Sequence, residues 1–94
     1  MIRHVVLWKF RENEEENVQR FLSGLGELPA LIPQILHLET GRSLCPEGEY
    51  DAILIADFAS IEDLETYKNH PAHIRVSALC KSIRTARQAF DYER

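Results

Sequence analysis

The chain has 94 residues, a length that predicts one domain spanning residues 1–94. Its hydrophobic fraction of 45% and charged fraction of 28% exclude wholesale disorder. Fifteen acidic residues against eleven Lys and Arg residues give a net charge of −4, which argues against a nucleic acid or an anionic membrane as the partner. There is no apolar run of about 20 residues and no signal-peptide pattern, so we expect a cytoplasmic protein. In that compartment Cys45 and Cys80 are expected to be free thiols, with a single disulfide as the alternative.

The first half of the chain predicts a strand, a helix and a second strand. Residues 2–10 alternate in the manner of a strand, and one face carries Ile2, His4, Val6, Trp8 and Phe10. The acidic segment 11–17 precedes an apolar stripe with helical spacing, formed by Val18, Phe21, Leu22, Leu25 and Leu28. We expect Pro29 and Pro33 to end this helix. Residues 35–40 alternate again and predict a strand that Gly41 stops, and residues 43–49 predict a turn or a mobile loop.

The second half predicts a strand, two short helices and a closing strand. Residues 50–58 give the strongest strand pattern, because residues 52–56 are apolar on both faces. Ser60 has the character of a helix N-cap, and Ile61, Leu64 and Tyr67 form the buried side of the helix that follows. Pro71 suits the first position of the next helix. The apolar stripe of that helix is Ala72, Val76, Leu79, Cys80 and Ile83, and residues 85–92 predict the last strand.

This order of elements predicts a ferredoxin-like α+β fold, with a four-stranded antiparallel sheet and its helices on one face. Strands 2–10 and 50–58 are apolar on both faces, so the uncovered face would carry an apolar patch. That patch holds either Val5 and Leu7 with one pair from the other strand, or Val6 and Trp8 with one such pair; the candidate pairs are Ile53 with Ile55 and Ala52 with Leu54. A small chain gains stability from a partner, and we expect a homodimer in which the two sheet faces pack together. The alternative is a monomer whose sheet is covered by the long side chains of Arg3, Lys9 and Arg87.

Three residues could form an acid–base site: His4, Tyr67 and His73. If the last helix packs over the first strand, these side chains would meet at one end of a cavity between the sheet and the helices. Imidazole takes and returns a proton near neutral pH, and a phenol can polarise a carbonyl oxygen. Such a site could enolise a carbonyl compound or direct an aldol-type closure without a cofactor. The alternative is structural: His4 bonds to backbone in the core, His70 caps a helix junction, and His73 borders the apolar stripe.

Other candidate sites have less support in the sequence. His70 and His73 lie one helical turn apart and could bind a metal with Glu62, Asp63 or His4, but no third ligand stands at a recognisable spacing, and we expect no metal and no cofactor. Aromatic side chains could line a cavity for an apolar ligand or belong to the core or an interface. They are Trp8, Phe10, Phe58, Phe90 and Tyr92. We assign no role to His37.

Four segments of the chain resemble the stress-responsive A/B barrel (Dabb) family. They are residues 2–10, residues 50–58, residues 64–73 and residues 90–93, and the most specific is the motif Tyr67-x-x-His70-Pro71-x-His73. The resemblance covers almost the whole chain. It implies a ferredoxin-like fold whose sheets close into a dimeric α/β barrel.

The same resemblance suggests a chemistry. Many members of the family are described through the stress response, and one plant member is a cofactor-independent polyketide cyclase that performs an intramolecular aldol condensation. Its catalytic histidines would fall on His4 and His73, and its active-site tyrosine on Tyr67. A further histidine of that cyclase, near the start of the third strand, has no counterpart, because that region holds Tyr50 and Asp51.

We therefore expect a homodimer that binds a small carbonyl or aromatic compound in a cavity between sheet and helices. One alternative is a cofactor-free lyase or cyclase, in which His73 is the general base, His4 positions the substrate or relays a proton, and Tyr67 donates a hydrogen bond. A second alternative is a purely structural stress protein.

Overall fold

The computed structural model describes residues 1–94 and contains four strands and three helices. In chain order these are β1 (Ile2–Phe10), α1 (Glu15–Leu31), β2 (His37–Arg42), β3 (Ala52–Phe58), α2 (Ile61–Asn69), α3 (Pro71–Ile83) and β4 (Arg84–Glu93). The strands form one sheet in the order β2-β3-β1-β4, and all neighbouring strands are antiparallel. With the helices packed on one face of this sheet, the predicted ferredoxin-like fold is confirmed.

The core lies between the helices and one face of the sheet. Along β1 the buried positions alternate with half-buried ones, and the buried set is Ile2, His4, Val6, Trp8 and Phe10, as the alternation predicted. On β3 their partners across the sheet are Phe58, Ala56, Leu54 and Ala52. The helices close this layer with a set of buried side chains that comprises Val18, Phe21, Leu25, Leu28, Leu64, Tyr67, Ala72, Cys80 and Ile83. The two central strands therefore supply the floor of any cavity under the helices.

The opposite face of the sheet carries an apolar surface that the helices do not cover. We call it the outer patch, and it consists of half-buried Val5, Leu7, Ile53 and Ile55 together with exposed Phe90. The strand register places Val5 between Ile55 and Phe90, so the patch runs across three adjacent strands.

Long polar side chains cover only the ends of the outer face. Arg3 pairs with Asp57 at 2.9 Å, and Lys9 reaches Asp51 at 3.2 Å. Arg87 lies across from Trp8, on the side that faces the helices, so the expectation that it covers the outer face is wrong.

Two predictions about helix residues are corrected. Helix α1 continues through Pro29 and ends at Leu31, so Pro29 does not end it. Pro29 lies in the last turn, where its missing N–H removes a single helical hydrogen bond. The next available donor, the Ile32 N–H, still bonds to the Leu28 carbonyl at 2.9 Å. In α2, Ile61 is 61% exposed, and only Leu64 and Tyr67 form its buried side.

The strand bounds differ from the prediction because pairing decides where an edge strand runs. β2 covers 37–42 rather than 35–40, and Gly41 lies inside it, opposite Ile53. Ile35 is nevertheless buried, in the segment that leads into the strand. β3 begins at Ala52 rather than Tyr50, and β4 covers 84–93 rather than 85–92. Each end of β2 coincides with the end of its pairing to β3.

The cysteines and the helices complete this description. Cys45 is exposed in the segment between β2 and β3, Cys80 is buried in α3, and both are free thiols, so the disulfide alternative is wrong. None of the three helices combines the length and the apolar character that a membrane crossing requires.

Candidate functional site

The junction between α2 and α3 positions two of the three predicted site residues. The Ser60 side chain begins α2 by accepting a hydrogen bond from the Asp63 N–H at 3.1 Å. At the other end, His70 Nδ1 accepts from the Ala72 N–H at 3.0 Å, and Pro71 takes the first position of α3. His70 is thus a helix cap, as the structural alternative proposed. The short junction brings Tyr67, at the end of α2, next to His73 in the first turn of α3, with ring centroids 4.4 Å apart.

The third residue, His4, reaches the same place from the sheet. It lies on the covered face of β1, is 3% exposed, and its ring centroid stands 6.2 Å from that of Tyr67 in an edge-on arrangement. His4 Nδ1 is hydrogen-bonded to an Asp91 carboxylate oxygen of β4, and the strand register places these two residues directly opposite each other. The structure therefore brings His4, Tyr67 and His73 together, and it adds Asp91, which the sequence reasoning missed.

The three rings border a small cavity with an apolar wall. The cavity encloses about 40 Å³, which is roughly the space of one water molecule. Its lining also includes Val6, Trp8, Phe21, Leu25, Leu54, Ser77, Cys80, Arg84 and Arg87. It opens into a polar cleft of about 330 Å³, to which His4 and His73 also contribute. A ligand could therefore insert one small group among the rings and leave the rest of its body in the cleft.

The hydrogen bonds fix which ring nitrogens are available. His73 Nδ1 lies 3.1 Å from the Lys68 carbonyl oxygen, which can only accept, so Nδ1 carries the proton and Nε2 has the free lone pair. The Asp91 carboxylate likewise accepts from His4 Nδ1, which leaves His4 Nε2 as the acceptor. Each imidazole is thus held by one nitrogen and offers the other as a base.

Burial sets the protonation states. Desolvation lowers the pKa of His4, against the opposing effect of the Asp91 carboxylate. Desolvation also lowers the pKa of His73, against the opposing effect of its bond to the Lys68 carbonyl. Burial raises the pKa of Tyr67 to about 12. Near neutral pH the site therefore presents two uncharged imidazoles, able to accept a proton, and a phenol that keeps its proton.

The Tyr67 hydroxyl is the polar group of this site that the protein leaves without a partner. Its side chain is 1% exposed, and the hydroxyl makes no hydrogen bond to another protein group. It is not sealed off either, because no fully buried side-chain polar atom lacks a partner. The hydroxyl is therefore free to donate to a group that enters the cavity.

The remaining candidate residues lie elsewhere. The structure brings together no group of three or more His, Cys, Asp or Glu side chains that could hold a metal. Trp8, Phe10 and Phe58 belong to the core, and Trp8 also lines the cavity. Phe90 and Tyr92 are exposed, Phe90 lies on the outer face, and neither lines the cavity. His37 is exposed and pairs with Glu39 at 2.9 Å.

Comparison with known sequences identifies relatives along the whole chain. A family model described as Stress Responsive A/B Barrel Domain matches residues 2–94. The chain is 31% identical to stress-response A/B barrel domain-containing protein DABB1 of Arabidopsis thaliana, over 98% of this chain and 46% of that protein. It is 24% identical to olivetolic acid cyclase of Cannabis sativa, over 97% of this chain and 94% of the cyclase. The chain spans less than half the length of its two Arabidopsis relatives.

Solved structures agree with the fold. A Bacteroides fragilis protein, described as dimeric, of unknown function and with a ferredoxin-like fold, superposes with a TM-score of 0.90 at 28% identity, over 99% of this chain and 95% of that one. The hydroxynitrile lyase of Passiflora edulis superposes with a TM-score of 0.85 at 15% identity, over 97% of this chain and 90% of that one. At that identity the likeness to the lyase shows the fold alone.

Proposed function

We propose that this chain, which belongs to the stress-responsive A/B barrel domain family, forms a homodimer and binds a small carbonyl or aromatic compound between its sheet and helices. The main support is the convergence of His4, Tyr67 and His73 on one cavity in which the Tyr67 hydroxyl has no protein partner. A polar group among apolar side chains costs free energy when its hydrogen bond is not made. A ligand carbonyl oxygen is an acceptor of the right size and polarity for this phenol.

The homodimer part of the proposal is supported by the outer patch. A contiguous apolar surface on one face of a small sheet usually marks an interface, and a second copy of the same face is self-complementary under two-fold symmetry. The similar Bacteroides fragilis protein, 28% identical, is described as dimeric. Two sheets packed through their outer patches would bury Val5, Leu7, Ile53, Ile55 and Phe90 of both copies.

A second candidate function is that of a cofactor-free lyase or cyclase. The observation that favours it is the state of the two imidazoles, which are uncharged and each hold a free Nε2 beside a protonated phenol. In this reading His73 is the general base, His4 positions the substrate or relays the proton, and Tyr67 polarises the carbonyl. The sequence similarity to olivetolic acid cyclase supports the same reading.

The binding proposal is tested with two neutral aromatic ketones, acetophenone and methyl phenylpyruvate, titrated into isotopically labelled protein. We expect NMR shifts that concentrate at His4, Tyr67 and His73. Tyr67→Phe keeps the ring and removes the hydroxyl, and it should weaken binding about threefold to tenfold, the effect of one lost hydrogen bond. His37→Asn removes an exposed histidine outside the cavity and should leave the affinity unchanged. Shifts that are absent or scattered over the surface would contradict the proposal and leave a purely structural role.

The enzymatic alternative has its own readout, the exchange of the ketone α-protons with deuterium. His73→Asn retains a side-chain N–H for the Lys68 carbonyl but lacks a base. If His73 is the general base, exchange should slow about 100-fold or more in this variant while the ketone still binds. Exchange that proceeds at the rate of the protein-free solution would exclude the catalytic reading and leave ligand binding intact.

A further inference from the structure

The opening of the cavity is lined by four cationic side chains and no carboxylate. We call it the basic mouth, and it consists of Lys68, Lys81, Arg84 and Arg87. With His4, His73 and Ser77 they line the whole cleft of about 330 Å³, to which no apolar residue contributes. The protein as a whole carries a net charge of −4, so this surface opposes the overall charge of the chain.

The protein does not neutralise these cations itself. Six of its eleven Lys and Arg side chains form ion pairs, which leaves Arg20, Arg75, Lys81, Arg84 and Arg87 without one. Three of these five lie in the basic mouth, and the fourth member of the mouth, Lys68, stands 3.8 Å from Glu65. Asp91, on the same side of β4 as Arg87, is already bonded to His4. Like charges that repel one another without internal partners are suited to an external anion.

The charge of the mouth also reaches the site. Arg87 lines both the cleft and the cavity. It adds to the lowering of the pKa of His4 and of His73, and it opposes the effect of burial on the pKa of Tyr67. A cation close enough to disfavour positive charge on both imidazoles is close enough to attract negative charge on a ligand at the same place.

The size of the cavity determines which part of a ligand lies where. About 40 Å³ admits only one small group, so the rest of any ligand must occupy the cleft beside Arg84 and Arg87. The planar fork of an arginine binds two oxygens of one carboxylate or phosphate group at once. A carbonyl compound with such a group a few bonds away from the carbonyl would span both regions.

We infer that the ligand of this site is an oxyanion, a small carbonyl compound with a carboxylate or phosphate group that binds in the basic mouth while its carbonyl reaches Tyr67. This inference rests on the proposed function and narrows it to one substrate class. The anionic group is held by Arg84 and Arg87, and Lys68 and Lys81 add to the attraction.

The test is a comparison of phenylpyruvate with methyl phenylpyruvate, which differ only in the charge of the carboxyl group. By calorimetry or NMR titration, phenylpyruvate should bind at least about tenfold tighter, and added NaCl should weaken phenylpyruvate but not the ester. Phenyl phosphate serves as the phosphate arm. Tighter binding of phenyl phosphate than of phenylpyruvate would assign the mouth to a phosphate, and the reverse order would assign it to a carboxylate.

Arg87 offers the cleanest variant, because it lies exposed on the edge strand β4 and makes no ion pair or helix cap. Arg87→Gln should remove about threefold to tenfold of the affinity for phenylpyruvate and leave the ester unaffected. Arg87→Lys should retain part of the preference. Arg20→Gln removes an exposed, unpaired cation of α1 outside the cleft and is the matched control.

The outcomes separate this inference from the proposed function. If the ester binds at the cavity as tightly as phenylpyruvate, or if Arg87→Gln and Arg20→Gln weaken phenylpyruvate equally, the oxyanion inference is wrong and the ligand-binding function stands. If neither compound shifts the resonances of the cavity residues, both are wrong.

Discussion

Phe90→Ala tests whether the outer patch is the surface through which two copies associate. Phe90 is 68% exposed, although the strand register places it beside Val5 on the apolar outer face. An aromatic side chain presents about 200 Å² of surface, so a covering partner would remove about 140 Å² of Phe90 from water. At about 25 cal/mol per Å², that burial contributes about 3 kcal/mol per protomer.

The alanine variant keeps the Cβ atom, so the loss is closer to about 2 kcal/mol per protomer. Two-fold symmetry counts each substitution twice, and about 4 kcal/mol corresponds to an increase in the dimer dissociation constant of about 1,000-fold. These figures assume complete coverage of the ring and are therefore upper values.

The dissociation constant can be measured by sedimentation or light scattering over a dilution series from micromolar to nanomolar protein. Ile74→Ala is the matched control, because Ile74 is 55% exposed on α3, in the helical layer, and should not affect the dimer. An increase of less than about tenfold for Phe90→Ala, or one equal to that of the control, would show that the interface lies elsewhere. A wild-type chain that is monomeric throughout the series would refute the dimer itself.

Three further predictions concern the site and the helix that carries it. The pKa values of His4 and His73 lie below the unfolded value of 6.5, so the unfolded chain binds more protons, and the free energy of unfolding should fall as the pH decreases below about 6.5; urea denaturation at a series of pH values measures this, and a stability that rises over that range contradicts the reasoning. Asp91→Asn removes the carboxylate that raises the pKa of His4, and NMR titration should give a lower His4 pKa; an unchanged or higher value would show that Asp91 does not act on the ring. Ser60→Ala removes the N-cap of α2 and should cost about 1 kcal/mol in urea denaturation, whereas a cost near zero would mean that the cap is dispensable.

Local sequence patterns predicted the elements well where the structure depends on short-range rules. The alternation in residues 2–10 identified the buried face of β1, and Pro71 marked the start of α3. The rule for Pro29 failed because a proline in the last turn of a helix removes little hydrogen bonding. The bounds of β2 were shifted because an edge strand extends as far as its neighbour pairs with it, which residues 35–40 alone do not reveal.

The candidate site shows the same division. The chemistry of His4, Tyr67 and His73 was visible in the sequence, and so was the condition for their meeting, the packing of the helices over β1. Asp91 and Arg87 were not visible as parts of the site. Their roles depend on the pairing of β1 with β4, two segments at opposite ends of the chain, and a shift of one residue would turn both side chains to the other face.

By itself, the sequence determined the order of strands and helices and the residue types able to exchange protons, since both follow from periodicity and side-chain chemistry over short stretches. The tertiary structure alone decided which pairs of apolar side chains lie on the outer face, which histidine nitrogens are free, and that unpaired cations gather at the opening of the cavity. These features depend on the register between strands and on how the helices pack against them, and contacts between residues far apart in the chain specify both.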